Sequence, residues 1–486
     1  MSPSRPAAVI VLAAGEGTRM KSALPKVLHP LCGRSMLGHA IATAGGLEPE
    51  RLVVVVGHAR DQVGAHATSQ APDAKIVIQD HQGGTGHAVR SVIETIGVIP
   101  GRVLVTYGDM PLLRTQTLAA LAREHEQAGH AVTVLTARVP DPTGYGRIVR
   151  DATGALTGIV EQSDATAGQR LIEEINSGCY VFDGALLADA IKRVPSANAQ
   201  GQEYLTDVVG ILREDGHPVG TLVADDPTEI QGVNDRVQLA QARRVYNDRL
   251  LEHWMRAGVT IVDPATTWLD AEVTLAPDVE LGPSTQLEGR TTVGAGARVG
   301  PGVVLRDTVV GAGASVINAV CEQSEIGPEA TVGPYTRLRP GSRLGRGARA
   351  GSFVEMKNAD VGEGTKVPHL TYVGDADIGA GSNIGAATVF VNYDGVAKHR
   401  TRVGDQVRIG SDTMLVAPVE IGDGAYTAAG SVITQNVPPG ALGIGRAGQR
   451  NIPGWVARRR AGTPSAAAAE AAQAAEDAPE QEGPAE

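Results

Sequence analysis

Aromatic residues are scarce in this 486-residue chain, at 3% of positions, and cysteine is nearly absent, at three residues. Cys32, Cys179 and Cys321 are odd in number and far apart, which argues against a disulfide framework or a zinc knuckle and fits a reducing cytoplasm. No apolar run approaches the roughly 18 residues of a membrane span. The short segment Ala7 to Ala14 runs straight into a glycine-rich loop and reads as a buried first strand, not as a signal-peptide core. An excess of base is missing too: 43 Lys and Arg stand against 54 Asp and Glu, a net charge of −11, which argues against an electrostatic grip on nucleic acid. No membrane or nucleic-acid partner is therefore expected.

Glycine, by contrast, is abundant at 61 residues, so much of the core must be built from small aliphatic side chains on closely turning backbone. The length argues for two or three domains. Up to about residue 230, short β-branched runs alternate with helical stretches: Val9 to Leu12, Leu52 to Val56, Lys75 to Ile78, Val103 to Thr106 and Val132 to Leu135. Such alternation predicts βαβ units and a parallel sheet. Asp235 to Ala257 then reads as one charged amphipathic helix, a connecting arm.

From residue 275 aliphatic residues fall at Leu275, Leu281, Leu287, Val293, Val299 and Leu305, a strict period of six. The hexad returns at Ile326, Val332, Leu338 and Leu344, at Ile378 and Ile384, and at Val403, Ile409, Leu415 and Ile421. Each hexad supplies a short strand and a corner, so three of them close one coil of a parallel β-helix. The repeat is interrupted at Arg306 to Gly311, Met356 to Gly362 and Val391 to Arg402, where loops that carry function are expected. Residues 457–486 hold almost no large apolar side chain, and Ala461 to Glu486 carries six acids and no base, which predicts a disordered acidic tail.

Directly after the first strand stands Leu12-Ala13-Ala14-Gly15-Glu16-Gly17-Thr18-Arg19-Met20, followed by Leu24-Pro25-Lys26. Glycines at a strand exit let backbone N–H groups approach a nucleotide, and Arg19 and Lys26 add the cations a triphosphate demands. The segment lacks the GK[ST] of a P-loop and the spacing of a dinucleotide fingerprint, so both of those readings fail. Asp109, in Tyr107-Gly108-Asp109-Met110-Pro111-Leu112, stands at the end of a parallel strand, where such folds place ligand chemistry, although alone it could equally cap a helix. In the second half, Arg339, Lys357 and Lys398 are cations on separate coils that could converge on a phosphate or be ordinary solvated charges. His369, in Pro368-His369-Leu370-Thr371-Tyr372-Val373-Gly374-Asp375, precedes Asn383-Ile384-Gly385-Ala386, and a lone histidine is usually structural.

Together with Gln79, Gly84-Thr85, Gly144-Tyr145-Gly146-Arg147, Val160-Glu161, Asn176-Ser177-Gly178 and Gly232-Val233-Asn234, the first-half segments match the order found in sugar-nucleotide pyrophosphorylases. With His369 and Asn383 to Ala386 added, the chain to about Trp455 resembles the bifunctional N-acetylglucosamine-1-phosphate uridyltransferase/glucosamine-1-phosphate N-acetyltransferase family. The resemblance implies an α/β chain of four parts: a Rossmann-like uridyltransferase domain over 1–234, a helical linker over 235–257, a left-handed β-helix N-acetyltransferase domain over 258–456, and the tail. It implies acetyl transfer from acetyl-CoA to glucosamine 1-phosphate, then uridylyl transfer from UTP to N-acetylglucosamine 1-phosphate. The product, UDP-N-acetylglucosamine, feeds cell-wall synthesis.

By the same resemblance, Leu12, Ala13, Ala14, Gly15, Lys26, Gln79, Gly84, Thr85, Tyr107, Gly108, Asp109, Gly146, Glu161, Asn176 and Asn234 bind the uridyltransferase substrates. Asp109 and Asn234 hold Mg²⁺, and Arg19 and Lys26 stabilise phosphate charge. Arg339, Lys357, Tyr372, Asn383 and Lys398 hold glucosamine 1-phosphate, while Ala386, Asn392, Tyr393, Ser411, Ala429 and Arg446 meet acetyl-CoA. A sugar 1-phosphate arrives as an anion and needs no general base, but an amine is protonated at neutral pH and does. Imidazole suits that task, so His369 is the candidate base, with a backbone N–H near Ala386 for the oxyanion. A β-helix has no concave pocket of its own, and the family assembles as a homotrimer. Ala387 stands where glycine is common, and Glu16 where many relatives carry Lys. Two other readings stay open on the residues alone: a single-activity pyrophosphorylase with a regulatory β-helix, and a noncatalytic scaffold that binds sugar nucleotides.

Overall fold

In the computed structural model, residues 5–477 are described, and they fold into a sheet-and-helix unit, an arm and a long prism. The first unit is built on nine strands: β1 (Ala8–Ala13), β2 (Leu52–Val56), β3 (Lys75–Ile78), β4 (Arg102–Tyr107), β5 (Val132–Arg138), β6 (Arg147–Arg150), β7 (Leu156–Val160), β8 (Glu174–Asp183) and β9 (Val219–Val223). The main path runs β9-β5-β8-β4-β1-β2-β3. β1 is buried along its whole length between β2 and β4, which is why it reads as an unbroken apolar run. Ile10 and Leu12 enter the core on one face of the sheet, Val9 and Val11 the core on the other.

The sheet is mixed where the alternation of elements predicts a parallel one. β8 runs antiparallel to both β4 and β5. The reason lies in the connection: no crossover helix follows β5, and the chain makes the antiparallel excursion β6–β7 before returning. The loops that leave β1, β3 and β4 still share one edge, and every candidate residue from Gly15 to Asp109 stands on it.

The arm is a single helix (Arg236–Arg256), capped by Asp235, whose carboxylate accepts from the Val237 and Gln238 N–H groups. Its Asn247 is fully buried against the start of the prism. The Asn247 amide donates to the Thr267 carbonyl at 2.8 Å and accepts from the Leu269 N–H at 2.9 Å.

In the prism, Leu269, Leu287 and Leu305 lie in register on successive coils, and Leu275 stacks on Val293 in the same way on the next face. The hexad residues are buried throughout and form one continuous core. Two of the three interruptions are shortened corners and not projecting loops. Leu305 is followed in its column by Cys321, a coil shorter by two residues, and one unbroken strand, Glu355–Val361, runs through the second. Cys321, Val373 and Phe390 therefore continue the column out of phase with the hexad, while Met356 follows Leu338 in phase. Only Val391 to Arg402 departs from the prism as a loop, pinned by a bridge between Tyr393 and Lys398.

The tail differs from the disorder its composition predicts. Trp455–Arg459 and Pro464–Glu476 are helical, the latter capped by the Thr463 hydroxyl with Pro in its first turn. Alanine-rich sequence favours helix without needing a buried face. The acidic stretch 478–486 lies outside the described residues. Among the described residues no helix is long and apolar enough to cross a membrane.

Asn247→Ala would strand one buried carbonyl and one buried N–H at the joint between arm and prism, a loss of about 2–4 kcal/mol. Denaturant unfolding should show that loss, with faster hydrogen exchange at Thr267 to Leu269. Unchanged stability would mean that the joint is held elsewhere.

Candidate active sites

Two adjoining chambers open on the shared edge of the first sheet. One, of about 250 Å³, is lined by Leu12, Ala13, Ala14, Gly15, Lys26, Gln79, Gly84, Thr85, Tyr107 and Asp109. The other, of about 280 Å³, is lined by Gly146, Glu161, Asn176 and Tyr204 among others, and it shares Thr85, Tyr107, Asp109 and Gln202 with the first. Asp109 thus stands where the chambers meet. Gly108 follows β4, its N–H donating to the Leu12 carbonyl at 2.9 Å, which ties the ends of β1 and β4 together.

At that junction the Lys26 ammonium donates to Asp109 Oδ2 at 2.5 Å and to Asn234 Oδ1 at 3.1 Å. The ion pair is largely buried, with the two side chains 11% and 19% exposed. Three distant segments hold it. Gly17 adopts φ +70°, and a Cβ there would fall 2.4 Å from Lys26 Cβ, so the loop can close over the lysine only with glycine. The Val233 N–H donates to the Asp109 carbonyl at 2.9 Å, which brings Asn234 alongside. Arg19 lies apart from this group: it is exposed and lines neither chamber.

Around the second chamber burial dominates. It pushes the Glu161 carboxyl and the Tyr107 phenol upward from their ordinary values. The Asn176 amide donates to the Tyr180 hydroxyl at 2.8 Å and accepts from the Gly178 N–H at 2.9 Å. Gln79 donates to the Gly84 carbonyl at 3.0 Å from the wall of the first chamber.

In the prism the candidates fall into two groups. His369, Ala386, Ser411 and Ala429 follow one corner from coil to coil: the Ala387 N–H meets the His369 carbonyl at 3.4 Å, Asp412 N–H the Ala386 carbonyl at 2.7 Å, and Gly430 N–H the Ser411 carbonyl at 2.9 Å. Arg446 lies against the end of this column, 3.6 Å from where a Cβ on Gly430 would stand. His369 is exposed, and Asn383 stands half-buried on the face beside it. Ala387 adopts φ +60°, which explains why glycine suits that corner.

The second group gathers around Asp375, which is 9% exposed. Its carboxylate accepts from the Asn358 amide at 2.7 Å and from the Asn392 amide at 2.5 Å, and lies 4.0 Å from the Lys357 ammonium. Burial pushes this carboxyl up, but the two amides and the Lys357 and Lys398 ammoniums outweigh it and hold it below the usual range. The Lys398 ammonium beside Lys357 lowers the latter, with Arg339 adding to the effect. Gly374 leaves the space the group needs: a Cβ there would lie 2.6 Å from both Asn392 Nδ2 and Tyr372 Oη. Tyr393, further along the loop, is exposed.

Several of these contributors carry no sequence signal. Asp375 falls within the His369 segment, yet a single buried acid has no signature. Gln202 and Tyr204 line the chambers from a loop that the bidentate pair of Arg90 with Glu203, at 2.6 and 3.0 Å, holds in place. From the arm, Arg236 donates to the Met20 carbonyl at 3.2 Å and Arg249 to the Leu112 carbonyl at 2.6 Å, so the arm grips the loops that leave β1 and β4.

The sign of the Asp375 shift gives a test. A carboxylate depressed by folding stabilises the fold above its unfolded value, about pH 4, and that contribution is lost as pH falls through the folded value. Asp375→Asn should melt several degrees below the parent at pH 7, with the gap closing in acid. A gap independent of pH would show that the charge contributes nothing.

Two family models match the chain: a MobA-like NTP transferase domain over residues 9–176 and bacterial transferase hexapeptide repeats over 400–435. Among similar proteins, the bifunctional protein GlmU of Thermobifida fusca is 62% identical over 98% of this chain and 99% of its own length. That of Streptomyces coelicolor is 61% identical over 97% and 98%, and that of Corynebacterium glutamicum 53% identical over 96% and 97%. Identity at this level across both halves removes the single-activity and scaffold readings. The chain belongs to the bifunctional GlmU family and is an enzyme of two activities, N-acetyl transfer and uridylyl transfer, that together make UDP-N-acetylglucosamine.

Proposed function

We propose that residues 1–234 carry uridylyl transfer and residues 258–456 acetyl transfer, with 235–257 as the linker. The observation that carries the first assignment is the convergence of Lys26, Asp109 and Asn234 where the two chambers join. UTP places its nucleoside in the chamber walled by the Gly15 loop, Gln79 and Gly84. N-acetylglucosamine 1-phosphate lies in the other, against Gly146, Glu161 and Asn176. Both phosphates then meet at Asp109.

The residues at that junction fit Mg²⁺: a carboxylate and an amide oxygen already converge on one cationic point, and hard oxygen donors are what that ion takes. Asp109 and Asn234 would hold it, and when bound it would offset charge on the phosphates. Lys26 contributes fixed positive charge there, and Arg19, on the exposed loop that follows β1, contributes to the leaving pyrophosphate. The attacking sugar phosphate is already an anion, so no residue has to take a proton from it.

In the prism, Arg339, Lys357 and Lys398 bind the phosphate of glucosamine 1-phosphate, which relieves their mutual repulsion. Tyr372 and Asn383 orient the sugar, and His369 takes the proton from its amine. The nitrogen then attacks the thioester carbonyl, whose oxyanion is met by a backbone N–H near Ala386. Acetyl-CoA lies along the corner column past Ser411 and Ala429 to Arg446, with Asn392 and Tyr393 on its flank. These surfaces are exposed on one chain, and an apolar edge runs beside His369: Tyr335, Phe353 and Leu370 are each about three-fifths exposed, the two rings stacked 5.3 Å apart. A homotrimer, in which a neighbouring prism walls the site, accounts for both features. The free thiols fit a cytoplasmic enzyme.

His369→Ala should lower acetyl transfer by about 10²–10⁴-fold and leave uridylyl transfer within about twofold, as read by thiol release and pyrophosphate release on one preparation. Thiol release at the parental rate would remove His369 from the mechanism.

A further inference from the structure

Gln79 forms part of the nucleoside chamber, and the loop behind it carries a cluster that neither half-reaction uses. Asp80 and His81 are exposed on that loop, while His87 sits in the first turn of the helix Thr85–Ile96 with its side chain only 6% exposed. His81 Nδ1 lies 2.8 Å from Asp80 Oδ1, and His87 Nε2 lies 3.5 Å from the same oxygen. All three ligand atoms fall within 4.8 Å of one another, and the two rings are 4.1 Å apart.

The buried ring is fixed from behind. Gln79 Nε2 lies 3.1 Å from His87 Nδ1, which leaves Nε2 aimed into the cluster with no close hydrogen-bond partner. A hydrogen-bond partner on the far nitrogen is how proteins orient a metal-binding imidazole. Two imidazole nitrogens and one carboxylate oxygen form a donor set for zinc-like ions and not for Mg²⁺, whose ligands are oxygens. The exposed side of Asp80 and His81 leaves an entry path and open coordination positions for water.

We propose that Asp80, His81 and His87 bind a divalent transition metal of the zinc class, and that its binding slows uridylyl transfer through Gln79. The coupling follows from the proton on His87. In the neutral ring Nδ1 accepts from Gln79, so Nε2 carries the hydrogen. To coordinate through Nε2 the ring gives that proton to solvent and takes one on Nδ1, with no net change. Nδ1–H then needs an acceptor, so Gln79 must turn its amide oxygen toward the ring and give up its bond to the Gly84 carbonyl. Gln79 and Gly84 both line the nucleoside chamber, so the cost falls on UTP binding. The cluster is separate from Asp109 and Asn234, and Mg²⁺ remains the ion of the reaction.

The test uses the untagged full-length protein in saturating Mg²⁺. Co²⁺ is titrated as a spectroscopic probe and Zn²⁺ by calorimetry, on the parent and on Asp80→Ala and His81→Ala. The parent should bind one ion per chain with visible Co²⁺ bands, and Zn²⁺ should raise the KM for UTP by roughly tenfold while acetyl transfer stays unchanged. Both variants should lose the bands and the inhibition and keep full activity in Mg²⁺ alone. Absence of binding, or binding equal in parent and variants, would overturn the site. Inhibition that persists in the variants would place the ion at Asp109 and Asn234, and binding without a change in KM would overturn the coupling.

Discussion

The buried ion pair between Lys26 and Asp109, completed by Asn234, is the contact on which the first half of the molecule depends. It joins the loop after β1, the end of β4 and the start of the arm, segments that otherwise have no reason to meet. A pair this sheltered adds little when intact, but removal of one partner strands a buried charge, at about 3–5 kcal/mol. The same three groups therefore hold the loops together and concentrate charge where the two chambers meet. Their setting also explains the arm. The arm helix begins just after Asn234, holds the Met20 and Leu112 carbonyls through Arg236 and Arg249, and ends against the first coil of the prism.

The prism solves a different problem. Its coils fix backbone positions at regular intervals, so a column of corner residues gives an extended surface suited to a long cofactor, and function is added by small departures. Asp375 shows how. One carboxylate on a tight corner orients two amides and offsets the crowding of Lys357 and Lys398. Without that acid the cations would repel one another with no anion bound.

Much of this was legible in the residues because it is local or periodic. The runs Leu52 to Val56 and Lys75 to Ile78 are strands with those bounds, and Leu275 to Leu305 is the stacked core the hexad predicts. The antiparallel course of β8 was not, since it depends on how the chain returns from β6–β7. Nor were the shortened coils at Leu305 and Met356, where the column continues through Cys321 and Phe390 out of phase. Arg249 reaches Leu112 across more than a hundred residues, and no local pattern marks such a contact. The helix Pro464–Glu476 was hidden for the opposite reason, because composition speaks to burial while alanine forms helix without it. Among the catalytic candidates, the first half was legible as a set of cations and acids at one sheet edge, whereas the role of Asp375 emerged only from its neighbours.

The two halves face nucleophiles of opposite kind, one arriving as an anion and one as a protonated amine, and only the second reaction has a proton to remove. The most direct measurement is the pH dependence of kcat for both half-reactions on one preparation, with and without the His369 imidazole. Acetyl transfer is expected to rise with pH through one ionisation that disappears in His369→Gln, while uridylyl transfer shows no counterpart to it near neutrality. An unchanged rise in the variant, or the same rise in both reactions, would contradict that division of chemistry.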